Sequence, residues 1–486
     1  MRIGKWTIIA AGVSLVAAAC ATDSTTTTTT PTTAATSATP IDIDSYQQND
    51  WACNYLVGSE DDAFNELVAV SQTPGFSVAD AAAQLTAGGI PADEVELSLV
   101  VNGTTAEEAP DDEAIGALSS QIGTLTTDEN AIAVAGFLNE QGFEASPIHI
   151  MATAAHWRWA PGTVPTAVPG YQVPDPSGDQ SEVIAVVDSG IVVDGLPPGL
   201  VGVLMKDSFD EETIGNGENE ASHGTFVAGL MHQIAPNYTI SLVRPRLVDP
   251  DSVQNHGNED VPDVQVTSEI HVAEAIERLL RRHAEEEVGV LNLSFGMYTC
   301  NPGAQDLWTG VIESLKKWFE QYEDAHIFAA GGNEQIDIPF WPAALAEWPW
   351  DLGDAMTPNE AIHGVGAINL GETEIVWNDS QNPPEQVDFS GIRPWVTHRA
   401  PGSDLVNLRG AASASGATAV CWSGSSFATA VASAMHAAGN GAPDHTYASV
   451  AGLTNFEFVN DQGQVAETGQ EATPVDLEVC GLDPES

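Results

Sequence analysis

Residues 183–368 alternate apolar strand-like runs with helical ones, and this alternation predicts an α/β fold built on a mainly parallel sheet flanked by helices. A smaller acidic stretch with helical segments and one alternating run precedes it, which predicts a small α+β N-terminal region. The Pro- and Gly-rich residues 165–181 part the two, and 43% hydrophobic types in 486 residues are enough to bury both cores. The expected division is residues 1–20 as export signal, 21–44 as linker, 45–165 as the α+β region, 166–445 as the α/β domain and 446–486 as a C-terminal tail.

Arg2 and Lys5 precede an apolar run at residues 8–19 that ends in small residues before Cys20, the pattern of an export signal. The run is too short for a permanent span, which needs ~20 apolar residues, and no later segment reaches that length. Ala17-Ala18-Ala19-Cys20 resembles the site at which bacterial lipoproteins are cut and acylated on the Cys, and the same letters fit ordinary A-x-A cleavage. Both fates stay open: an envelope lipoprotein anchored in the membrane at Cys20, or a freely secreted protein. Residues 21–44 are rich in Thr, Ala, Ser and Pro and cannot bury enough apolar area to offset ordering, so they read as a tether.

In the α+β region, residues 95–99 alternate and are closed by Asn102-Gly103, which reads as a strand; residues 131–143 read as a helix leading to a strand that ends near residues 148–150. In the α/β domain, residues 183–187, 240–243, 288–293, 327–330 and 364–368 read as strands, with helices at 268–283 and 307–322. Ligands in such sheets bind at the carboxyl ends of the strands.

Three segments place chemistry there. The run 183–187 delivers Asp188 beside Ser189-Gly190; taken alone, such an Asp caps the next turn. His223-Gly224-Thr225-Phe226-Val227-Ala228-Gly229 puts a His at the opening of a helix, where a lone His is usually structural. Ser423-Gly424-Ser425-Ser426-Phe427-Ala428 opens an Ala-rich helix whose first amides can face an anion, and alone it is a cap. Together they stand in the chain order Asp, His, Ser, and they resemble the Asp-Ser/Thr-Gly, His-Gly-Thr-x-Val-Ala-Gly and Gly-Thr-Ser-x-Ala blocks of the subtilisin family of serine peptidases. Ala329-Ala330-Gly331-Gly332-Asn333 and Asn292-Leu293-Ser294-Phe295-Gly296 are similar to two further family blocks.

The resemblance implies a subtilisin-like fold and hydrolysis of peptide bonds through an acyl-enzyme. It implies Asp188, His223 and Ser426 as the triad and Asn333 as oxyanion donor. It also implies Ser294, Phe295 and Gly296, with Gly331 and Gly332, along the substrate. Ser426 rather than Ser425 is the nucleophile because Phe427-Ala428 then falls on the family's x-Ala. Ser425 replaces the usual Thr, Ala430 the usual Pro and Met297 a common Gly; Met297 with Phe295 can cover the specificity pocket. By the same resemblance, residues 45–165 are propeptide-like and act as intramolecular inhibitor or folding aid, with processing near residues 145–169; a permanent accessory domain is the other reading. The alternative to a working endopeptidase is a catalytically silent member that binds peptide or a partner protein.

Lys+Arg total 14 against 69 Asp+Glu, a formal net charge of -55, which argues against nucleic acid as a partner; polypeptide as the substrate is what the family resemblance implies. Besides Cys20, the cysteines are Cys53, Cys300, Cys421 and Cys480; in an exported chain they favour disulfides, with three connectivities open and Cys300–Cys421 the first choice because both border cleft segments. No cofactor is required. Calcium binding is common in the family, but no ligand spacing localises it here and no metal site is assigned. Arg278, Arg281 and Arg282 with Glu274 and Glu277 read as ion pairs on a solvated helix face, and Trp341 as a packing residue.

Overall fold

The computed structural model describes residues 54–56, 66–73, 75–104, 112–152, 166–168, 182–191, 196–204, 221–248, 253–255, 266–298, 309–333, 339–347, 361–369, 393–403, 405–409, 418–439, 458–459 and 465–466. The expected export signal with Cys20, the tether, Cys53, Cys300 and Cys480 lie outside the described residues, and only the backbone of Cys421 is described.

In the N-terminal region, β1 (Glu66–Ser71), β2 (Ala92–Val95), β3 (Ile122–Thr127) and β4 (Ala145–Pro147) form an antiparallel sheet in the order β2-β3-β1-β4. Four helices accompany it: α1 (Val78–Ala87), α2 (Leu97–Thr104), α3 (Asp112–Leu118) and α4 (Ala131–Glu140). Ser77 and Asp80 start α1 as a capping box, and the Asn130 side chain caps the first amides of α4. The expected strand at 95–99 is a correction: the chain leaves β2 at Val95 and enters α2. Leu97, Val100 and Val101 are buried together at helical spacing while Leu99 is exposed, so a helical face outweighs the short alternation.

The α/β domain carries β5 (Glu182–Val187), β6 (Tyr238–Val243), β7 (Val290–Leu293), β8 (His326–Ala330), β9 (Ile362–Asn369) and β10 (His398–Ser403), all parallel in the order β10-β9-β8-β7-β5-β6. Its main helices are α5 (Ala221–Ile234), α6 (Glu269–Arg282), α7 (Thr309–Gln321) and α8 (Ser425–Ala437). The two-residue period of β5 feeds two cores: Ile184 and Val186 pack with Phe226, Leu230 and Val431 of α5 and α8, while Ala185 and Val187 pack with Ile276 and Leu315 of α6 and α7. A hairpin of β11 (Leu405–Arg409) and β12 (Thr418–Trp422) extends the domain, and Thr166–Val168 pairs onto β12, so part of the expected separator is a strand.

The N-terminal region docks on α6 and α7. Val68 and Val70 of β1 and Phe137 of α4 share one apolar cluster with Leu315, Trp318 and Phe319 of α7. Polar contacts set the docking: Ser146 Oγ donates to Glu269 Oε1 at 3.1 Å, and Gln121 Nε2 to Glu277 Oε1 at 3.2 Å. Here the solvated-face reading of α6 is corrected. Glu274 and Glu277 are fully buried; Arg246 and Arg278 flank Glu274 at 3.2 and 3.4 Å, and Lys317 reaches Glu277 at 2.6 Å. A buried carboxylate is tolerated only with such partners.

One buried histidine, His271, and one half-buried, His436, are expected to make the fold acid-sensitive. Burial and the nearby Arg246 push His271 of α6 down to about 3; burial and the His326 ring at 4.3 Å push His436 of α8 down to about 4. His326 in turn shares a 2.8 Å contact with His363. The unfolded chain takes up these protons near the ordinary value of 6.5 and the folded one resists them. The penalty on the folded state therefore grows as pH falls below 6.5 and levels off only below the folded values. The expected cost is about 1 kcal/mol per pH unit for each histidine. Melting temperatures across that window should fall less steeply for His436→Asn than for the parent; equal slopes would remove His436 from the effect.

Among the described residues no helix is long and apolar enough to cross a membrane.

Candidate active site

The carboxyl end of β5 hands the chain to Asp188, which is fully buried. Its Oδ1 accepts the Ser189 amide at 2.7 Å and faces His223 Nδ1 at 2.8 Å. Gly190 continues the turn at φ +97, a left-handed conformation that favours glycine. Two residues into α5 comes His223, and the next position must be glycine: a Cβ at Gly224 would lie 2.2 Å from the Gly190 carbonyl oxygen and 3.1 Å from Asp188 Oδ1. The Gly224 amide also donates to Ser189 Oγ at 3.0 Å, so the Asp turn and the His helix are bolted together. The His223 ring packs against Phe427 at 5.1 Å and edge-on to Trp422 at 5.8 Å.

The start of α8 is held differently. Gly424 stands at its N-cap with no side-chain cap, and Asn333, just past β8, supplies the missing acceptor: its Oδ1 takes the Ser425 amide at 2.7 Å. That bond fixes the side-chain orientation, since an N–H can only face the amide oxygen, and it leaves Asn333 Nδ2 without a partner among the described residues. The Ser426 amide likewise has no partner among the described residues, as expected for the first turn of a helix. The Ser426 hydroxyl donates to the Ser294 carbonyl oxygen at 3.0 Å, and no hydrogen bond joins it to His223 among the described residues.

Ser294, Phe295 and Gly296 leave the end of β7 toward a short antiparallel pairing of Met297–Tyr298 with Phe340–Trp341. Gly296 sits against Phe340 and the Trp341 carbonyl, where a Cβ would come within 2.4 Å. Phe295, Met297 and Trp341 are buried. Gly331 and Gly332 follow β8; the Gly331 amide donates to Val365 and its carbonyl accepts Trp395 Nε1, so both its main-chain groups are in use. The structure thus brings Asp188, His223, Ser426 and Asn333 to one end of the sheet, with Ser294 beside Ser426.

Sequence reading gave no role to Trp422, which walls the His223 ring, or to the Ser189 hydroxyl. Nor did it find that Ile150–Ala152 lies antiparallel to Val266–Ser268 and packs near Met297–Tyr298. Only the closeness of Trp422 to the Ser426 block hinted at the first. Among the described residues no group of three His, Cys, Asp or Glu side chains is arranged to hold a metal ion.

A model of the peptidase S8 subtilase family matches residues 179–448. Similar solved structures include the prenylagaramide maturation protease PagA, at 22% identity over 53% of this chain and 74% of that one, with a TM-score of 0.35. The MycP3 protease from the type VII (ESX-3) secretion system matches at 19% identity over 56% and 79%, TM-score 0.33. An intact ESX-5 inner membrane complex matches at 17% identity over 60% and 73%, TM-score 0.32. A comparison with curated proteins returns no match.

Proposed function

The chain belongs to the subtilase family of serine peptidases, and on that premise we propose that it is an exported endopeptidase acting through Asp188, His223 and Ser426. The observation that carries the reading is the buried 2.8 Å contact between Asp188 Oδ1 and His223 Nδ1, beside the helix start that bears Ser426. A hydroxyl is a weak nucleophile near neutral pH, so His223 takes the Ser426 proton as Ser426 attacks the scissile carbonyl and then returns it to the leaving amine. Asp188 holds the imidazole tautomer and stabilises the imidazolium. The developing oxyanion is received by Asn333 Nδ2 and the Ser426 amide, the two donors left open at the start of α8.

Asn333→Leu keeps a branched side chain but removes the Nδ2 donor together with the Oδ1 that holds the Ser425 amide; its kcat should fall at least on the order of 10²- to 10³-fold, the range for loss of such a donor in subtilisin. An unchanged kcat would take Asn333 out of the oxyanion hole.

We also propose that residues 45–165 act as an intramolecular inhibitor, Ile150–Ala152 being paired with Val266–Ser268 and packed near Met297–Tyr298, just past the Ser294–Gly296 segment expected along the substrate. The pairing of β4, Ile150–Ala152 and Thr166–Val168 in sheets favours a cut between them, within residues 153–165. A silent peptide-binding member draws on one observation, the Ser426 hydroxyl turned to Ser294. The two are separated by incubating the full chain with a fluorophosphonate probe and mapping the labelled residue. Labelling at Ser426 together with a new N-terminus downstream of Ala152 supports the working peptidase; no labelling makes it a silent binder. Anchoring at Cys20 rests on the sequence alone and predicts that Cys20→Ser leaves the membrane fraction; an unchanged distribution removes the anchor.

A further inference from the structure

Behind Ser426 lies a buried polar chain that the proposed chemistry does not use. Asn292 is fully buried in β7 between Leu291 and Leu293, a costly place for an amide unless it is bonded. Its Nδ2 donates to Ser433 Oγ of α8 at 2.9 Å, and Ser433 Oγ donates to the Thr429 carbonyl one turn back at 2.8 Å. With the Ser433 proton committed, the Asn292 nitrogen must face Ser433, and its Oδ1 must face Ser294 Oγ, at 2.9 Å. The Ser294 hydroxyl has one proton and two acceptors, Asn292 Oδ1 and the Ser426 carbonyl at 2.8 Å. Ser426 Oγ completes the loop by donating to the Ser294 carbonyl. Residues 294 and 426 therefore clasp each other through both hydroxyls, and the Asn292 side chain reaches both Ser294 and the nucleophile helix.

We infer that Asn292, with Ser433, is a positioning residue for Ser426: it sets the depth of α8 against β7 and shares the Ser294 proton with the Ser426 carbonyl, and so fixes where the Ser426 hydroxyl stands relative to His223. The inference rests on the peptidase reading above. Without Asn292, Ser294 donates only to Ser426 and α8 loses a polar tie to β7, so the start of the helix shifts relative to His223. Ser433→Ala removes that tie alone and is compatible with a helix.

The test is the rate of inactivation by a fluorophosphonate probe on the full chain, resolved into its binding constant and its maximal rate, with melting temperature taken alongside. Asn292→Ala should lower the maximal rate about tenfold at unchanged probe affinity, the worth of one or two buried hydrogen bonds. Ser433→Ala should lower it about threefold, and adding it to Asn292→Ala should cost nothing more, as for members of one network. A merely structural role would lower the melting temperature and the fraction labelled while leaving that rate unchanged. Maximal rates within twofold of the parent in Ser433→Ala, and in Asn292→Ala where it folds, overturn the inference while the peptidase reading stands. If the parent chain itself takes up no probe, the peptidase reading falls and the inference with it.

Discussion

Peptide hydrolysis by Ser426→Ala is expected to fall about 10⁶-fold, the loss that follows removal of a subtilisin-type nucleophile, leaving a residue of roughly 10³-fold over water from oxyanion donors and binding. Adjacent serines make the comparison with Ser425→Ala decisive. Ser425 works through its backbone: its amide binds Asn333 Oδ1 and its carbonyl accepts Thr429 Oγ1 at 2.7 Å. Neither bond needs the Ser425 side chain, which is buried, so Ser425→Ala should keep its rate within about tenfold of the parent. Assays of casein hydrolysis on the two variants check this. Equal losses would mean that the start of α8, rather than one hydroxyl, is being measured, and a selective loss in Ser425→Ala would move the nucleophile by one residue.

The site was legible because chemistry constrains residue identity where packing does not. An Asp at the end of an apolar run, a His followed by Gly and a Ser before an Ala-rich helix each have ordinary explanations, and it is their order and neighbours that point instead to a candidate triad. Gly224 shows why the neighbours matter: the sequence prints a glycine, and the 2.2 Å approach to the Gly190 carbonyl gives the reason. The α/β sheet was legible from β5 to β9 because buried parallel strands are continuous apolar runs. β10 was missed since His398, Arg399, Pro401 and Gly402 break such a run, and Pro is tolerated there at the edge of the sheet. The docking face of α6 was misread because its carboxylates look like a solvated stripe until Arg246 and Lys317 arrive from elsewhere in the chain. No local pattern encodes partners so far apart. The pairing of Ile150–Ala152 with Val266–Ser268 was hidden for the same reason.

Asp188 gives the second large effect, and the environment here makes its two substitutions separable. Asp188→Ala should cost on the order of 10⁴-fold in kcat, since imidazolium stabilisation and tautomer control go together. Asp188→Asn is expected to do less damage. The oxygen that faces His223 Nδ1 at 2.8 Å also accepts the Ser189 amide at 2.7 Å, so an asparagine must present its oxygen there and cannot turn its NH₂ toward the ring without meeting the Ser189 N–H. His223 then keeps Nδ1–H, with Nε2 free to act as base, and what is lost is the negative charge opposite the imidazolium. The asparagine nitrogen occupies the position of Asp188 Oδ2, which has no partner among the described residues and is buried, so the variant also carries an unsatisfied donor and a lowered melting temperature. An intermediate kcat for Asp188→Asn, with Asp188→Ala clearly below it, is the signature of a tautomer held by Ser189. Equal losses in the two would mean that the Ser189 amide does not control the asparagine, and that tautomer reversal dominates as it does when the corresponding Asp of a trypsin-like triad is changed to Asn.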